Sequence, residues 1–169
     1  YGLCFENRPK RIVVTDISEE KIARAKECIP ESEAAEKGIE LIYVNTSAYD
    51  DPEAELMKIS EGHGYDDVFV YVPFKPVAEM GDRLLAFDGC MNFFAGPTDN
   101  QFKAEINLYN CHYTSTHIMG TTGGNTADLI EAIVKEESDA IIAKYASAFL
   151  MQRRSSSAES AVPAREYTL

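Results

Sequence analysis

Arg11–Ile17, RIVVTDI, sets a β-branched apolar run, Ile12-Val13-Val14, ahead of Thr15 and an acid, Asp16. Such a run predicts a strand buried on both faces, as in a parallel sheet. Ser18 follows at the position of a helix N-cap, with Ile22, Ala23, Ala25 and Lys26 continuing a helical pattern. A carboxylate closing a buried parallel strand is where a nucleotide-binding α/β sheet holds a ribose, because it can accept from both hydroxyls. The same acid can equally serve only to cap the next helix, so the rest of the chain has to decide.

Outward from that stretch, strand and helix signals alternate. Ile39–Val44 predicts a second strand. A helix opens at Asp51-Pro52, with Pro at an early helical position and Leu56, Met57 and Ile59 on an apolar face. Tyr65–Val72 predicts a third strand, Val77–Phe87 a helix, and Asp88-Gly89 a turn. Cys90–Ala95 predicts a fourth strand and Thr116–Gly120 the last. Between these two, Ile106–Tyr109 reads as one short strand. A helix is expected over 126–137 and another over 140–151. Strands separated by helices predict an α/β fold, a Rossmann-like parallel sheet flanked by helices. Residues 1–137 form the expected domain, and 138–169, with its Arg153-Arg154-Ser155-Ser156-Ser157 stretch, an irregular or helical tail, poorly ordered in part.

The 169 residues suffice for one domain with a sizeable core, and no apolar run approaches membrane-spanning length. A formal charge of −12 argues against nucleic acid as a partner, since phosphate binding needs clustered Lys and Arg. Cys4, Cys28, Cys90 and Cys111 show no metal-type spacing and read as the reduced cysteines of a cytoplasmic protein. His63, His112 and His117 have no carboxylate or cysteine at a spacing that completes a zinc set, so no metal site is expected in this chain. No Walker A sequence occurs, which argues against a P-loop enzyme, and no GxSxG elbow supports a hydrolase.

Gly96, Gly120, Gly123 and Gly124 fall at or just beyond predicted carboxyl ends of strands, the edge where ligands bind in open parallel sheets. Each could be only a loop glycine; their shared edge favours a ligand. No GxGxxG is present. That fingerprint precedes its ribose acid by about 20 residues, which from Asp16 places it before Tyr1. The fold is therefore expected to be incomplete at the N-terminus, the chain being a piece of a longer one.

Taken together, RIVVTDI, YDDVFVYVP, GCMNFFAGP and HIMGTTGGNT resemble the cofactor domain of the medium-chain dehydrogenase/reductase family, the zinc alcohol and polyol dehydrogenases. NFFAGPTD and HYTSTHIMGTTGGNT look most like its L-sorbose 1-phosphate reductase type. The resemblance implies an oxidoreductase moving a hydride between NAD and a sugar phosphate or polyol, with zinc held in a separate catalytic domain. It implies that Asp16 binds the adenosine ribose and favours NAD over NADP, with Ile17 and Lys21 bordering that ribose. Val72 and Pro73 would lie against the adenine side or the bridging ribose. Phe94, Ala95 and Gly96 would meet the nicotinamide ribose, and His117, Ile118 and Met119 would offer backbone groups to the carboxamide. It further implies a homo-oligomer paired through the Thr116–Met119 strand, and no catalytic residue within this chain. Two other readings stay open on the residues alone: an S-adenosylmethionine-dependent methyltransferase, and a non-catalytic Rossmann module that senses nucleotide or dimerises.

Overall fold

The structure, a computed structural model, describes residues 9–121 together with 123 and 126. The helices expected over 126–137 and 140–151, and the tail, lie outside the described residues apart from Thr126. The described elements are β1 (Arg11–Asp16), α1 (Glu19–Cys28), α2 (Glu31–Glu36), β2 (Glu40–Asn45), a 3-10 turn (Thr46–Ala48), α3 (Pro52–Ile59), β3 (Tyr65–Val70), α4 (Lys75–Arg83), β4 (Leu85–Phe93), α5 (Leu108–Tyr113) and β5 (His117–Gly120). Their hydrogen-bonded neighbours form two sheets, β1-β2 and β3-β4-β5. Two compact units result, one reaching Val44 among the described residues and the other Asn45–Gly124.

In the first unit Ser18 accepts the Lys21 N–H through its hydroxyl and caps α1, while Glu19 and Glu20 lie in the first turn where the helix dipole favours acids. Ala34, Ile39 and Leu41 form the core, with Ile12, Val14, Ile29 and Tyr43 packed against them. The Tyr43 hydroxyl donates to the carbonyls of Ile29 (2.8 Å) and Ala25 (3.2 Å), tying β2 to the end of α1. Ile12, Val13 and Val14 are half-buried, not buried on both faces as expected; among the described residues β2 is the sheet neighbour of β1.

The second unit is a parallel βαβ arrangement. α4 lies on the face carrying Val68, Val70 and Met91, and it does so at a glycine. A Cβ on Gly81 would come 2.8 Å from the Met91 sulfur and 3.3 Å from Val70 Cγ2. Leu56, Val70, Ala78, Leu84 and Met91 are the buried apolar residues of this unit.

Two expected boundaries differ. The helix expected over Val77–Phe87 ends at Arg83, and β4 begins at Leu85, since Leu85 already pairs with Tyr65. Asp88-Gly89 is therefore not a turn between elements but part of a bulge within β4. While β3 advances from Tyr65 to Asp67, β4 advances from Leu85 to Cys90. Asp88 takes φ 61° there, and a Cβ on Gly89 would approach the Ala86 and Tyr65 carbonyl oxygens at 2.9 Å. Ile106–Tyr109 is not a strand. Asn107 caps α5 by accepting from the Tyr109 and Asn110 N–H groups, a local bond that outweighs the strand propensity of its neighbours.

Candidate functional site

β1 delivers Asp16 to its carboxyl end, where Oδ1 accepts the Ser18 N–H at 2.8 Å and Oδ2 lies 3.7 Å from the Lys21 ammonium. The first bond is an Asx-type turn that aims the chain into α1. A carboxylate has about four lone-pair sites, of which the Ser18 bond uses one. Ile17 stands 73% exposed beside Asp16.

In the second unit the pairs Val70↔Phe93 and Phe93↔Gly120 put the last residues of β3, β4 and β5 in one row. From that row Val72-Pro73, Phe94-Ala95-Gly96 and Thr121 leave the sheet along a single edge. The ladder carries slightly past it, with Phe94 N–H donating to the Val70 carbonyl at 2.9 Å and Thr121 N–H to the Phe93 carbonyl at 3.3 Å. Gly96 has φ 57°, a left-handed conformation suited to glycine, and open space where a Cβ would stand. Phe94, Val72 and Pro73 are exposed. The edge can offer backbone groups and apolar surface to a flat ligand.

β5 divides its expected residues. Met119 pairs with Asn92, one step from the row, and Ile118 with Met91; His117 opens the strand opposite Cys90. Its Nε2 lies 3.2 Å from Asp88 Oδ1, so the His117 ring is directed to the β4 bulge. Sequence reasoning did not single out Asn92, Thr121 or Asp82. The Thr121 hydroxyl donates to Asn92 Oδ1 at 2.8 Å. The visible cue was a lone polar residue in the apolar run Cys90–Phe94. Among the described residues no group of three or more His, Cys, Asp or Glu side chains is placed to hold a metal ion. Zinc has no donor set among these residues. No helix of the described residues is long and apolar enough to cross a membrane.

Parallel strands joined through helices, with an acid closing β1 and three strand ends drawn into one row, define a Rossmann-like α/β domain. Across 8–137 the sequence matches the family described as zinc-binding dehydrogenase. The chain belongs to that family. It is 54% identical over 133 residues to mannitol-1-phosphate 5-dehydrogenase of Aliivibrio fischeri, covering 79% of this chain and 31% of that protein. It is 41% identical over 133 residues to L-sorbose 1-phosphate reductase of Klebsiella pneumoniae, with the same coverage of 79% and 31%. The chain thus spans about a third of the length of these curated relatives, 31% in each case. Benzyl alcohol dehydrogenase from Acinetobacter calcoaceticus has a similar fold, with TM-score 0.61 at 17% identity over 79% of this chain and 34% of that one.

Proposed function

We propose that this chain forms the nucleotide-binding part of an NAD-dependent oxidoreductase that moves a hydride between nicotinamide and a sugar phosphate or polyol, of the sorbose 1-phosphate or glucitol 6-phosphate type. The observation that carries this reading is the 54% identity to a protein named for mannitol 1-phosphate, sustained over 133 residues. NAD, when bound, supplies the redox chemistry. The protein's part is to hold and orient it.

In this reading Asp16 accepts from the adenosine ribose hydroxyls, and its negative charge disfavours a 2′-phosphate in their place. Ile17 and Lys21 border that ribose. Val72 and Pro73 lie against the adenine or the bridging ribose, and Phe94, Ala95 and Gly96 against the nicotinamide ribose. His117, Ile118 and Met119 contribute backbone groups to the carboxamide. Residues 1–137 make up the domain and 138–169 stand outside it. β5, an edge strand with β4 as its one neighbour among the described residues, is the surface through which two copies pair. The free Cys28, Cys90 and Cys111 fit a cytoplasmic setting.

The test is a fluorescence titration of the purified chain with NADH and, separately, with S-adenosylmethionine. Weak binding of NADH and none of S-adenosylmethionine is expected. Preference for S-adenosylmethionine supports a methyltransferase instead, and binding of neither leaves a dimerising module. The chain alone is also expected to show no sugar-phosphate-dependent NADH turnover, so appreciable turnover would overturn the assignment of substrate chemistry to residues outside it.

A further inference from the structure

Opposite α4, the β3-β4-β5 sheet carries Phe69, Asn92 and Met119 in one row, and Tyr71, Phe94 and Thr121 follow towards the carboxyl edge. Phe69 stacks on Tyr71 with ring centroids 6.3 Å apart, and Tyr71 meets Phe94 edge-on at 5.9 Å. Against this aromatic surface the Asn92–Thr121 hydrogen bond is a polar fastening between two strands. It runs diagonally, from the middle of a row on β4 to the residue just past the end of β5.

The position of that bond matters because β5 is a short strand, His117–Gly120, exposed at every residue and bonded to a sheet neighbour along one edge among the described residues. Such a strand end frays unless something beyond the ladder holds it. Just past Gly120, the Thr121 N–H donates to the Phe93 carbonyl at 3.3 Å. The side-chain bond from Thr121 to Asn92, at 2.8 Å, is the shorter of the two. It fastens the exit of β5 to β4 directly below Phe94-Ala95-Gly96.

We propose that Thr121, acting through Asn92, is a positioning residue for the nicotinamide half of the cofactor: it holds the Met119–Thr121 backbone in place across from Phe93 and Phe94. The inference rests on the NAD reading above. It assigns no role to the adenosine half, and that difference makes it testable.

The experiment measures NADH and ADP affinity by amide-resonance titration of the full chain and of Thr121→Val, Thr121→Ser and Asn92→Leu. One lost hydrogen bond of this kind corresponds to roughly three- to tenfold in affinity. Thr121→Val and Asn92→Leu are expected to weaken NADH by about that factor and leave ADP, which lacks the nicotinamide ribose, unchanged, while Thr121→Ser restores NADH binding. Equal loss of both ligands in the two variants, or loss of neither, overturns the positioning role while the NAD reading stands. If the unaltered chain binds neither ligand, the NAD reading falls and takes this inference with it. Asn92→Leu provides the answer should Thr121→Val fail to fold.

Discussion

Asp82 accepts the backbone N–H of Asn107 at 2.9 Å through one carboxylate oxygen, while its other oxygen is buried without a hydrogen-bond partner among the described residues. The side chain belongs to α4 and is 2% exposed. Asn107 is the cap of α5, so Asp82 satisfies the amide of a capping residue from a different helix. In a capping box a glutamate on the same helix performs that service. Removing the acceptor strands a buried N–H, which costs about 1–3 kcal/mol. Asp82→Ala is expected to lose that much stability in urea denaturation, and Asp82→Asn, which retains an acceptor oxygen, less. Equal stability of Asp82→Ala and the unaltered chain would falsify the bracing role.

A second stitch joins the same two segments. Glu79 Oε1 accepts the Glu105 N–H at 2.9 Å, and Lys75 lies 3.3 Å from Glu79 and 3.4 Å from Glu105. The Glu105 amide, and then Lys75, lower the Glu79 pKa below its ordinary value; Glu79 in turn raises that of Lys75. A carboxylate with a lowered pKa stabilises the fold above its unfolded value and ceases to do so as pH falls through the folded one. The segment around Glu105 is therefore expected to stay attached at neutral pH and to loosen on strong acidification. Hydrogen exchange at the Glu105 amide checks this. Glu79→Gln should speed exchange at pH 7 and flatten its dependence on acid; an unchanged profile would count against the stitch.

Asp16 offers a specificity test. Hydrogen bonds to a charged acceptor contribute roughly 1.5–3 kcal/mol, equivalent to about tenfold or more in affinity. Asp16→Ala is expected to weaken NADH by about that factor and to narrow the gap between NADH and NADPH. Parallel fluorescence titrations with the two nucleotides measure both effects. A variant that binds NADH as well as the unaltered chain would remove Asp16 from the site.

The outer edge of β5 predicts assembly. Ile118 is 39% and Met119 58% exposed on a strand whose one described sheet neighbour is β4. Charge on an edge strand opposes pairing with another copy. Sedimentation velocity is expected to show a dimer for the unaltered chain and a monomer for Ile118→Lys. Identical sedimentation of the two would place any association elsewhere.

Local signals foretold local structure well. RIVVTDI, the Ser18 cap and Asp51-Pro52 each depend on neighbours within a turn, and each element formed where its residues pointed. The α4–β4 boundary was not legible, because Leu84-Leu85-Ala86-Phe87 continues an apolar helical pattern with no glycine or proline to break it. Asp88-Gly89 looked like punctuation between elements yet lies inside a strand. The alignment of Val70, Phe93 and Gly120 depends on strand register, and the Asp82–Asn107 bond on packing of distant segments. Neither leaves a mark on any short window of sequence.

The β4 bulge has a consequence for what the gene can tolerate. Side chains alternate along a strand, so inserting or removing one residue turns everything downstream to the opposite face. Between Leu85 and Cys90 the chain carries the extra residues that set Met91 towards α4 and Asn92 away from it. A one-codon deletion there would exchange the two, burying an amide and exposing a methionine, and would carry Phe94 and Gly96 off their edge. Most loops absorb a change of length by shifting a little. Here length acts as a parity bit, and an error of one reverses the sheet.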